Sequence, residues 1–454
     1  MLQSINPVCG SIIAEYAEHS MEASALIIGK CAKAQKLWEH TDFAVRKSVM
    51  KLVADLLRTN TEEYAKMITL EMGKPIVQSR AEVLKCASVC DYYADHAEAF
   101  LSNESVSTDA SESYIAYRPL GVVLAVMPWN FPFWQVFRFA APALMSGNGV
   151  LLKHASNVTG SALLIEKVFR DAGFPDHLFR TLKVPGKNVG QLIENPLVKA
   201  VTLTGSVPAG RAVAAKAGQM LKKTVLELGG SDPYIILEDA DLDTAAELCV
   251  NSRLINSGQS CIAAKRFIAV RPVYEAFVEL FIQKMQKKSM GDPVLEEIDV
   301  GPQASVSLRD ELHEQVLRSI EKGARCELGG KIPDQKGAWY PPTVLTDVTP
   351  GMPAFDEELF GPVAAIIEAK DEADAVRLAN NTVFGLGAAV FTGDGNRGKR
   401  IAEMELRAGC CFVNDMVKSD PRLPFGGIGD SGYGRELSCV GIREFTNIKT
   451  VVIR

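Results

Sequence analysis

The sequence lacks long apolar runs and clusters of basic residues. Within its 454 residues no apolar stretch reaches the roughly 18 residues that cross a bilayer, and its first residues show no basic region followed by the apolar core of a signal peptide. The formal net charge of −6 is spread along the chain, without a run of lysine and arginine suited to a polyanion. We therefore expect no nucleic-acid partner, no membrane partner and a cytoplasmic location.

Metal-binding spacings and a disulfide framework are also missing. The six histidines lie far apart, and neither a His-Glu-x-x-His nor a Cys-x-x-Cys pattern occurs. Ten cysteines without a secretory signal indicate reduced thiols. We expect no metal site, and one of these thiols could act as a nucleophile.

The order of apolar patterns predicts an α/β architecture. Residues 21–100 carry apolar side chains at helical spacing with charged residues between them, which predicts several amphipathic helices. From residue 121 onward short apolar runs alternate with helix-like segments such as 160–172, and a second alternating stretch follows residue 230. Such alternation favours parallel sheets covered by helices, and the length of the chain favours two domains.

Two strand-like segments, 112–118 and 448–454, lie outside both alternating stretches. Strand edges left open in this way commonly pair with another chain. We therefore expect the protein to form a homodimer or a homotetramer.

Six short motifs follow one another along the chain. The first three are Pro-Trp-Asn-Phe-Pro at 128–132, Glu-Leu-Gly-Gly-Ser-Asp-Pro at 227–233 and Gly-Gln-Ser-Cys at 258–261. The others are Glu-Glu-Leu-Phe-Gly-Pro at 357–362, Pro-Phe-Gly-Gly at 424–427 and Ser-Gly-Tyr-Gly-Arg-Glu at 431–436. Together they resemble the aldehyde dehydrogenase superfamily, over nearly the whole chain and in the family's order.

The resemblance implies the aldehyde dehydrogenase fold, with a Rossmann-like cofactor domain, an α/β catalytic domain and a small oligomerisation element. We expect the dinucleotide-binding domain at 1–100 and 120–229 and the catalytic domain at 230–437. Oligomerisation strands are expected at 101–119 and 438–454.

Cys261 lies in a turn containing Gly and Ser just before an apolar strand, where a thiolate could attack an aldehyde carbon. A cysteine taken alone is more often a small buried residue, but the resemblance implies that Cys261 is the nucleophile. As the carbonyl oxygen gains charge, the family's oxyanion Asn, here Asn130, and the backbone N–H of Cys261 would stabilise it. Alone, an Asn before Phe-Pro is more often a turn former.

Glu227 is, by resemblance, the base that activates water for thioester hydrolysis. It follows an apolar run and precedes two glycines, and the alternative is a salt-bridged Glu between domains. The resemblance also implies that Glu358 holds the nicotinamide ribose with Phe360 alongside, and Trp129 is a further cofactor-binding candidate. Alone, Glu358 would be read as a surface carboxylate at a helix end.

The cofactor site must be inferred without a Gly-x-Gly-x-x-Gly fingerprint, which is absent. The candidate segment is Thr204, Gly205 and Ser206, which follows an apolar strand and precedes a helix with Pro208 in its first turn. Free N–H groups there could face a pyrophosphate. An ordinary capped helix would carry the same residues.

Lys153 resembles the family lysine that contacts the adenosine ribose, and Ser156 stands where many NAD+-preferring relatives carry Glu. A 2′-phosphate close to such a Glu would meet a repulsion of about 4 kcal/mol. Because Ser156 removes this repulsion, we expect NADP+ to be preferred and NAD+ to be the alternative. His154 is either a second contact or a surface residue.

Within the superfamily the chain looks most like the short bacterial succinate-semialdehyde dehydrogenases. In these enzymes an Arg eight residues beyond the oxyanion Asn meets the distal carboxylate of the substrate, and Arg138 has this position. The alternative is an internal salt bridge or an outward-pointing Arg. Ser419 could donate to the same carboxylate or form a turn beside Asp-Pro. The aromatic residues expected either to wall the substrate tunnel or to belong to the core are Phe133, Trp134 and Phe137.

The expected reaction is oxidation of succinic semialdehyde to succinate through a thiohemiacetal and a thioester on Cys261. Glutaric semialdehyde and a broader range of small aldehydes are alternatives. A coenzyme A-acylating enzyme would not need Glu227, and a catalytically silent relative would be expected to have lost Cys261 or Asn130. Cys410 and Cys411 could form a redox switch with Cys261 or be inert buried thiols.

Overall fold

The computed structural model describes all 454 residues, and its first hundred are helical apart from a hairpin. The elements are β1 (Leu2–Ile5), β2 (Ile12–Tyr16), α1 (Met21–Trp38), α2 (Phe43–Thr59), α3 (Thr61–Met72), α4 (Ile76–Phe100), β3 (Glu104–Ser105) and β4 (Glu112–Pro119). Ser20 caps α1 by accepting a hydrogen bond from the backbone N–H of Ala23 at 3.1 Å. Gly73, at φ +77°, ends α3 in the left-handed conformation. None of the helices combines the length and apolarity needed to cross a membrane.

The next segment alternates strands and helices as the sequence predicts. Its elements are β5 (Val122–Met127), α5 (Trp134–Met145), β6 (Gly149–His154), α6 (Thr159–Asp171), β7 (Phe179–Thr181), α7 (Val189–Glu194), β8 (Val198–Thr204), α8 (Val207–Gln219) and β9 (Lys223–Glu227). The strands are parallel in the order β9-β8-β5-β6-β7. The strand order reverses between β5 and β8, and the carboxyl ends of such a pair form the usual ligand crevice of an open α/β sheet.

A second sheet follows. Its elements are β10 (Pro233–Ile236), α9 (Leu242–Leu254), β11 (Arg266–Val270), α10 (Tyr274–Gln286), α11 (Val306–Glu321), β12 (Arg325–Leu328), β13 (Thr343–Thr346), α12 (Pro353–Asp356), β14 (Val363–Ala369), α13 (Glu372–Asn380), β15 (Gly387–Phe391), α14 (Gly395–Arg400) and β16 (Cys410–Val413). The seven strands have the order β12-β13-β14-β11-β10-β15-β16, and only β12 runs antiparallel. Cys261 lies in the connection from α9 to β11.

The chain ends in a small third sheet. The last elements are β17 (Gly432–Tyr433), α15 (Ser438–Arg443) and β18 (Thr446–Ile453). Strand β17 pairs antiparallel with β9 and completes a six-stranded sheet, whereas β18 pairs antiparallel with β4 along its whole length. The prediction of strand structure from residue 438 is therefore wrong for its first part, because 438–443 is helical. The predicted domain boundaries stay a proposal.

Each of the two large sheets has its own hydrophobic core. Along β5, Val123 and Ala125 belong to the cluster beneath the helical layer, whereas Val122 and Leu124 belong to the cluster on the opposite face. This two-residue alternation is the side-chain period of a strand covered on both sides. A separate cluster surrounds the seven-stranded sheet. The predicted class, α/β with Rossmann-like parallel sheets, is confirmed.

A buried carboxylate joins the helical layer to the first sheet. Glu82 in α4 accepts hydrogen bonds from the backbone N–H groups of Phe133 and Trp134, both at 2.9 Å, where α5 begins. The buried ammonium group of Lys74 forms an ion pair with the same carboxylate. Negative charge at a helix N-terminus is stabilised by the unpaired N–H groups there. Glu82 therefore fixes the start of α5 relative to α4.

We expect Glu82→Ala to lower the free energy of unfolding by about 3 to 5 kcal/mol, because it leaves the Lys74 ammonium buried without its partner. The measurement is urea denaturation followed by tryptophan fluorescence. Glu98→Ala removes an exposed carboxylate from the same helix and should change stability by less than about 0.5 kcal/mol. Equal effects of the two substitutions would contradict this role of Glu82.

Candidate active site

A cavity of about 290 Å³ lies at the carboxyl ends of β5 and β8, facing the turn before β11. It is the crevice expected where the strand order of the first sheet reverses. The predicted site residues that line it are Trp129, Asn130, Thr204, Gly205, Ser206, Cys261, Glu358 and Phe360. Those that lie outside its lining are Glu227, Lys153, Ser156, Arg138 and Ser419. The chain holds no cluster of three His, Cys, Asp or Glu side chains suited to a metal ion.

The turn that presents Cys261 has an unusual backbone. Asn256, Ser257 and Gly258 follow one another with φ of +54°, +55° and +77°, and this left-handed conformation costs a non-glycine residue roughly 1 to 2 kcal/mol. No other residue fits at position 258, because a Cβ there would lie 2.1 Å from the carbonyl oxygen of Gly361. The sequence motif contained Gly258, but the left-handed pair before it was missed.

The side chain of Asn256 ties this turn to the loop after β5. Its Nδ2 donates to the carbonyl oxygens of Asn130 at 2.6 Å and Gln259 at 3.0 Å. The Nδ2 of Asn130 donates to the same Gln259 carbonyl at 3.1 Å. An amide nitrogen carries two hydrogens, so the second hydrogen of Asn130 is available to an oxygen bound in the cavity. Asn256 and Gln259 are positioning residues that sequence reasoning missed.

Burial governs the thiol of Cys261. It raises the pKa of the Cys261 thiol to about 12, against the opposing charges of Lys265 and Arg138. The buried Lys265 ammonium donates to the carbonyl oxygens of Ser260 at 2.9 Å and Cys261 at 2.7 Å. Lys265, which sequence reasoning also missed, therefore holds the nucleophile turn and places positive charge close to the sulfur. In the unliganded protein the thiol is protonated at neutral pH.

Glu227, the last residue of β9, is buried, and neither of its carboxyl oxygens has a hydrogen-bond partner. Burial raises the pKa of Glu227 well above its usual range, and the guanidinium of Arg138 opposes this effect. The carboxyl group packs against Gly426, where an added Cβ would lie 2.7 Å from its Oε1. Arg138 in turn forms a buried ion pair with Glu436. An unpartnered carboxyl group with a raised pKa thus lies next to this ion pair.

Two further side chains complete the rim of the cavity. Glu358 accepts a hydrogen bond from the backbone N–H of Gly230 at 3.0 Å and lies 3.4 Å from the Lys265 ammonium. The ring of Phe360 meets that of Trp129 edge to face, with centroids 5.7 Å apart. Glu358 and Phe360 both lie on the second sheet's side of the cavity, and the ring of Phe360 faces the loop after β5.

Lys153, in β6, is a buried cation without an ion-pair partner. Burial is the one cause that lowers the pKa of Lys153, and the nearby Ser156 begins a short 3₁₀ helix without adding a carboxylate. An unpaired buried ammonium group is costly unless a ligand supplies the opposite charge. These residues fit an anionic group at the end of β6.

Ser419 lies in the loop after β16 and is almost completely buried. Its Oγ accepts a hydrogen bond from the Nζ of Lys85, in α4, at 2.8 Å. The same Nζ lies 4.3 Å from the ring centroid of Trp134. Lys85 was missed by sequence reasoning, because it belongs to no motif and occupies an ordinary position in an amphipathic helix.

Comparison with known proteins decides the family. The family model described as "Aldehyde dehydrogenase family" matches residues 1–451. This chain belongs to the aldehyde dehydrogenase family. The prediction from the six motifs is therefore confirmed.

Individual relatives of this aldehyde dehydrogenase cover nearly all of both chains. A Synechocystis protein named probable succinate-semialdehyde dehydrogenase [NADP(+)] is 50% identical over 453 residues, covering 100% of this chain and 99% of the relative. The Escherichia coli protein named succinate semialdehyde dehydrogenase [NAD(P)+] Sad is 48% identical over 448 residues, covering 99% and 97%. The structure of Streptococcus pyogenes succinic semialdehyde dehydrogenase in complex with NADP+ has a TM-score of 0.97 at 36% identity, covering 100% of both chains.

The position of Arg138 in this aldehyde dehydrogenase differs from the sequence prediction. Arg138 was expected to meet a substrate carboxylate, but its guanidinium forms an ion pair with Glu436 and lies 4.7 Å from the ring centroid of Phe425. This is the internal salt bridge that the sequence left open as the alternative. Glu436, in the last motif, supplies a planar carboxylate that suits an Arg, and the role of Arg138 toward a substrate carboxylate stays a prediction.

His154 is neither a surface residue nor placed as a second cofactor contact. Both ring nitrogens are taken, since Nε2 lies 2.9 Å from the carbonyl oxygen of Pro132 and Nδ1 lies 3.3 Å from that of Met127. Burial lowers the pKa of His154 to about 4, so the ring is neutral at physiological pH. Through its contact with Pro132, the His154 ring supports the loop that carries Asn130.

The remaining expectations concern aromatic residues and thiols. Phe133 and Phe137 are completely buried and stack on one another, so they belong to the core, whereas Trp134 contacts Lys85. Cys410 and Cys411 are free thiols in β16. Burial raises the pKa of both, to about 11 for Cys411. This favours inert thiols over a redox switch.

We expect alkylation of Cys261 by iodoacetamide to accelerate about tenfold per pH unit from about pH 7 to about pH 9 in the cofactor-free protein. The reason is that a thiol with a pKa near 12 gains thiolate in proportion to hydroxide throughout this range. The rate is measured on the Cys261 peptide by mass spectrometry, with the exposed Cys439 as an internal reference. A rise of only about threefold from pH 8 to pH 9, as for an ordinary thiol with a pKa near 8.5, would contradict the protonated resting state.

Proposed function

We propose that this aldehyde dehydrogenase oxidises succinic semialdehyde to succinate, with NADP+ preferred over NAD+. The observation that carries the proposal is a cavity lined by Cys261, by Asn130 and by the cofactor-binding candidates other than Lys153 and Ser156. The substrate is supported by relatives of 48–50% identity over almost the entire chain, which are named for this activity.

Cys261 is the proposed nucleophile. Its thiol loses its proton to water, the sulfur adds to the aldehyde carbon, and the carbonyl oxygen becomes negatively charged in a thiohemiacetal. The free Nδ2 hydrogen of Asn130 and the backbone N–H of Cys261 would stabilise that oxygen, with removal of one such donor typically costing about 3 to 4 kcal/mol. The hydrogen bonds from Asn256 hold Asn130 and the Cys261 turn in register, so the donor is already oriented before the oxygen becomes charged.

The cofactor supplies a hydride acceptor when it is bound, and hydride loss from the thiohemiacetal carbon leaves a thioester on Cys261. Residues of this chain fit such a dinucleotide. Lys153 offers a buried unpaired cation, Ser156 offers no opposing carboxylate, and the N–H groups after β8 lie at the start of α8. We assign the nicotinamide ribose end to Glu358, with Phe360 and Trp129 beside it.

Glu227 is the proposed base for thioester hydrolysis. It would accept a proton from the attacking water, and the thioester would then release the carboxylic acid and the Cys261 thiolate. Its raised pKa means that the carboxyl group is a weak acid in its resting position and, once ionised, a strong base. An acylating enzyme that transfers the thioester to coenzyme A has no use for such a group.

We also propose that the protein is a homodimer or homotetramer in the cytoplasm. Strand β18 pairs on one side with β4, and its other edge has no partner in the chain. Ile448 and Val452 are 61% and 55% exposed along it, and an open edge of this kind favours strand pairing between subunits. Light scattering should give two or four times the chain mass, and a monomer at micromolar concentration would overturn the proposal.

The substrate and cofactor assignments are tested by steady-state kinetics on succinic semialdehyde and butanal with each cofactor. We expect kcat/KM to be highest for the semialdehyde with NADP+. Ser156→Glu should shift the ratio of NADP+ to NAD+ efficiency by at least about tenfold toward NAD+, because the new carboxylate repels the 2′-phosphate. Ser107→Glu, at an exposed position, is the matched control. A preference of the wild type for butanal would overturn the substrate assignment.

Glu227→Gln tests the proposed base. We expect a rapid burst of about one reduced cofactor per active site, followed by turnover at least about 100-fold slower than in the wild type, because acylation proceeds and hydrolysis does not. Stopped-flow absorbance of the reduced cofactor measures both phases, and Cys261→Ser should show no burst. Formation of an acyl-coenzyme A product when coenzyme A is added to the wild type would instead favour the acylating reaction.

A further inference from the structure

Besides Lys153, a second, mostly buried lysine near the site, Lys85, has no ion-pair partner within the chain. Lys74 forms an ion pair with Glu82, and Lys265 lies 3.4 Å from Glu358. Lys85 is mostly buried as well, yet its one hydrogen bond goes to the neutral hydroxyl of Ser419, at 2.8 Å. The charge of Lys85 is therefore not balanced by an ion pair as the other two are.

The charged groups around Lys85 leave this cation poorly compensated. Glu82, one turn earlier in α4, is engaged by Lys74, and Asp420 is engaged by Arg422. Burial lowers the pKa of Lys85 to about 8, and the positive charge of Arg138 lowers it further, while Cys86, Glu82 and Asp420 oppose the shift. A ligand that brings a negative charge would relieve both the burial cost and the repulsion.

Lys85 is linked to the proposed reaction centre through Arg138, whose positive charge acts on both the Lys85 ammonium and the Cys261 thiol. Trp134, whose ring centroid lies 4.3 Å from the Lys85 ammonium, stands four residues beyond Asn130 and one helical turn before Arg138. Neither Lys85, Trp134 nor Ser419 lines the cavity that holds the cofactor candidates. We expect an aldehyde bound to Cys261 and Asn130 to extend its tail past Arg138 toward this cluster.

We infer that Lys85 is a specificity-determining residue, whose ammonium group binds the distal carboxylate of the substrate together with the hydroxyl of Ser419. The inference deepens the proposed function and rests on it. Lys85 would act beside Arg138, whose Nε is engaged by Glu436. An ammonium group has three N–H donors; one serves Ser419, so the others are available to a carboxylate. The aldehydes selected would be short chains that carry an acid group at the far end.

The alternative role for Lys85 is structural, in which its hydrogen bond merely anchors the loop that holds Ser419. Lys85→Gln separates the two roles, because an amide keeps a donor for Ser419 but carries no charge. Lys85→Met removes both, and Lys85→Arg keeps the charge. Lys47→Met, which removes an exposed lysine of α2, is the control for loss of a positive charge.

The readout is the ratio of kcat/KM for succinic semialdehyde to that for butanal. We expect this ratio to fall about tenfold or more in both Lys85→Gln and Lys85→Met, mainly through KM for the semialdehyde. Lys85→Arg should recover most of the ratio, and Lys47→Met should leave it unchanged. Thermal denaturation of each variant identifies any that fails to fold, and Lys85→Gln alone then suffices.

The outcomes distinguish the inference from the proposed function. If the wild type favours the semialdehyde and Lys85→Gln retains that preference, the role of Lys85 is overturned and the proposed function stands. If kcat falls for both aldehydes with an unchanged ratio, Lys85 is structural, which also overturns the inference. If the wild type itself does not favour the semialdehyde, the proposed function fails, and the inference fails with it.

Discussion

The contact on which the site depends most is the buried carboxylate of Glu82 at the start of α5. It satisfies two backbone N–H groups of that helix and is balanced by the buried ammonium group of Lys74. Because Asn130 lies in the loop just before α5, the same contact sets where the oxyanion donor stands. Lys85 follows Glu82 by one helical turn, so α4 carries the group that fixes the loop and the proposed group that reads the substrate.

The site also contains four mostly buried cations, and they differ in the group that neutralises each of them. Arg138 is paired with Glu436, and Lys265 holds the carbonyl groups of the nucleophile turn beside Glu358. Lys153 and Lys85 have no carboxylate partner in the chain. Since an unpaired buried charge is costly, these two positions are where anionic parts of ligands contribute most to binding. One adjoins the cofactor candidates and the other adjoins the proposed substrate tail.

Burial shifts the two groups proposed for bond making and bond breaking toward their uncharged forms. It raises the pKa of Glu227 above its usual range and that of Cys261 to about 12, so the thiol is protonated in the resting protein at neutral pH. A protonated thiol is a poor nucleophile, which protects it from adventitious electrophiles. The positive charges of Lys265 and Arg138 favour the thiolate once a proton can leave. We therefore expect the Cys261 thiol to become reactive when bound ligands change its surroundings.

The sequence by itself determined the α/β class, the family and the chemistry-bearing residues of the motifs. Alternating apolar runs define strands covered on both faces, and a motif holds Cys261 or Asn130 in a local turn whose residues are neighbours in the chain. These properties depend on residues that are close together in the chain, so they can be recognised before the fold is known.

Only the tertiary structure decided which charges meet. Arg138 pairs with Glu436, Lys85 contacts Ser419 from 334 residues away, and Asn256 joins two loops through backbone carbonyl groups. No local pattern encodes such pairings, because a buried charge takes whichever partner the packing of separate elements brings within reach. For this reason the sequence alone did not show the ion pair of Arg138 or the contact of Lys85 with Ser419.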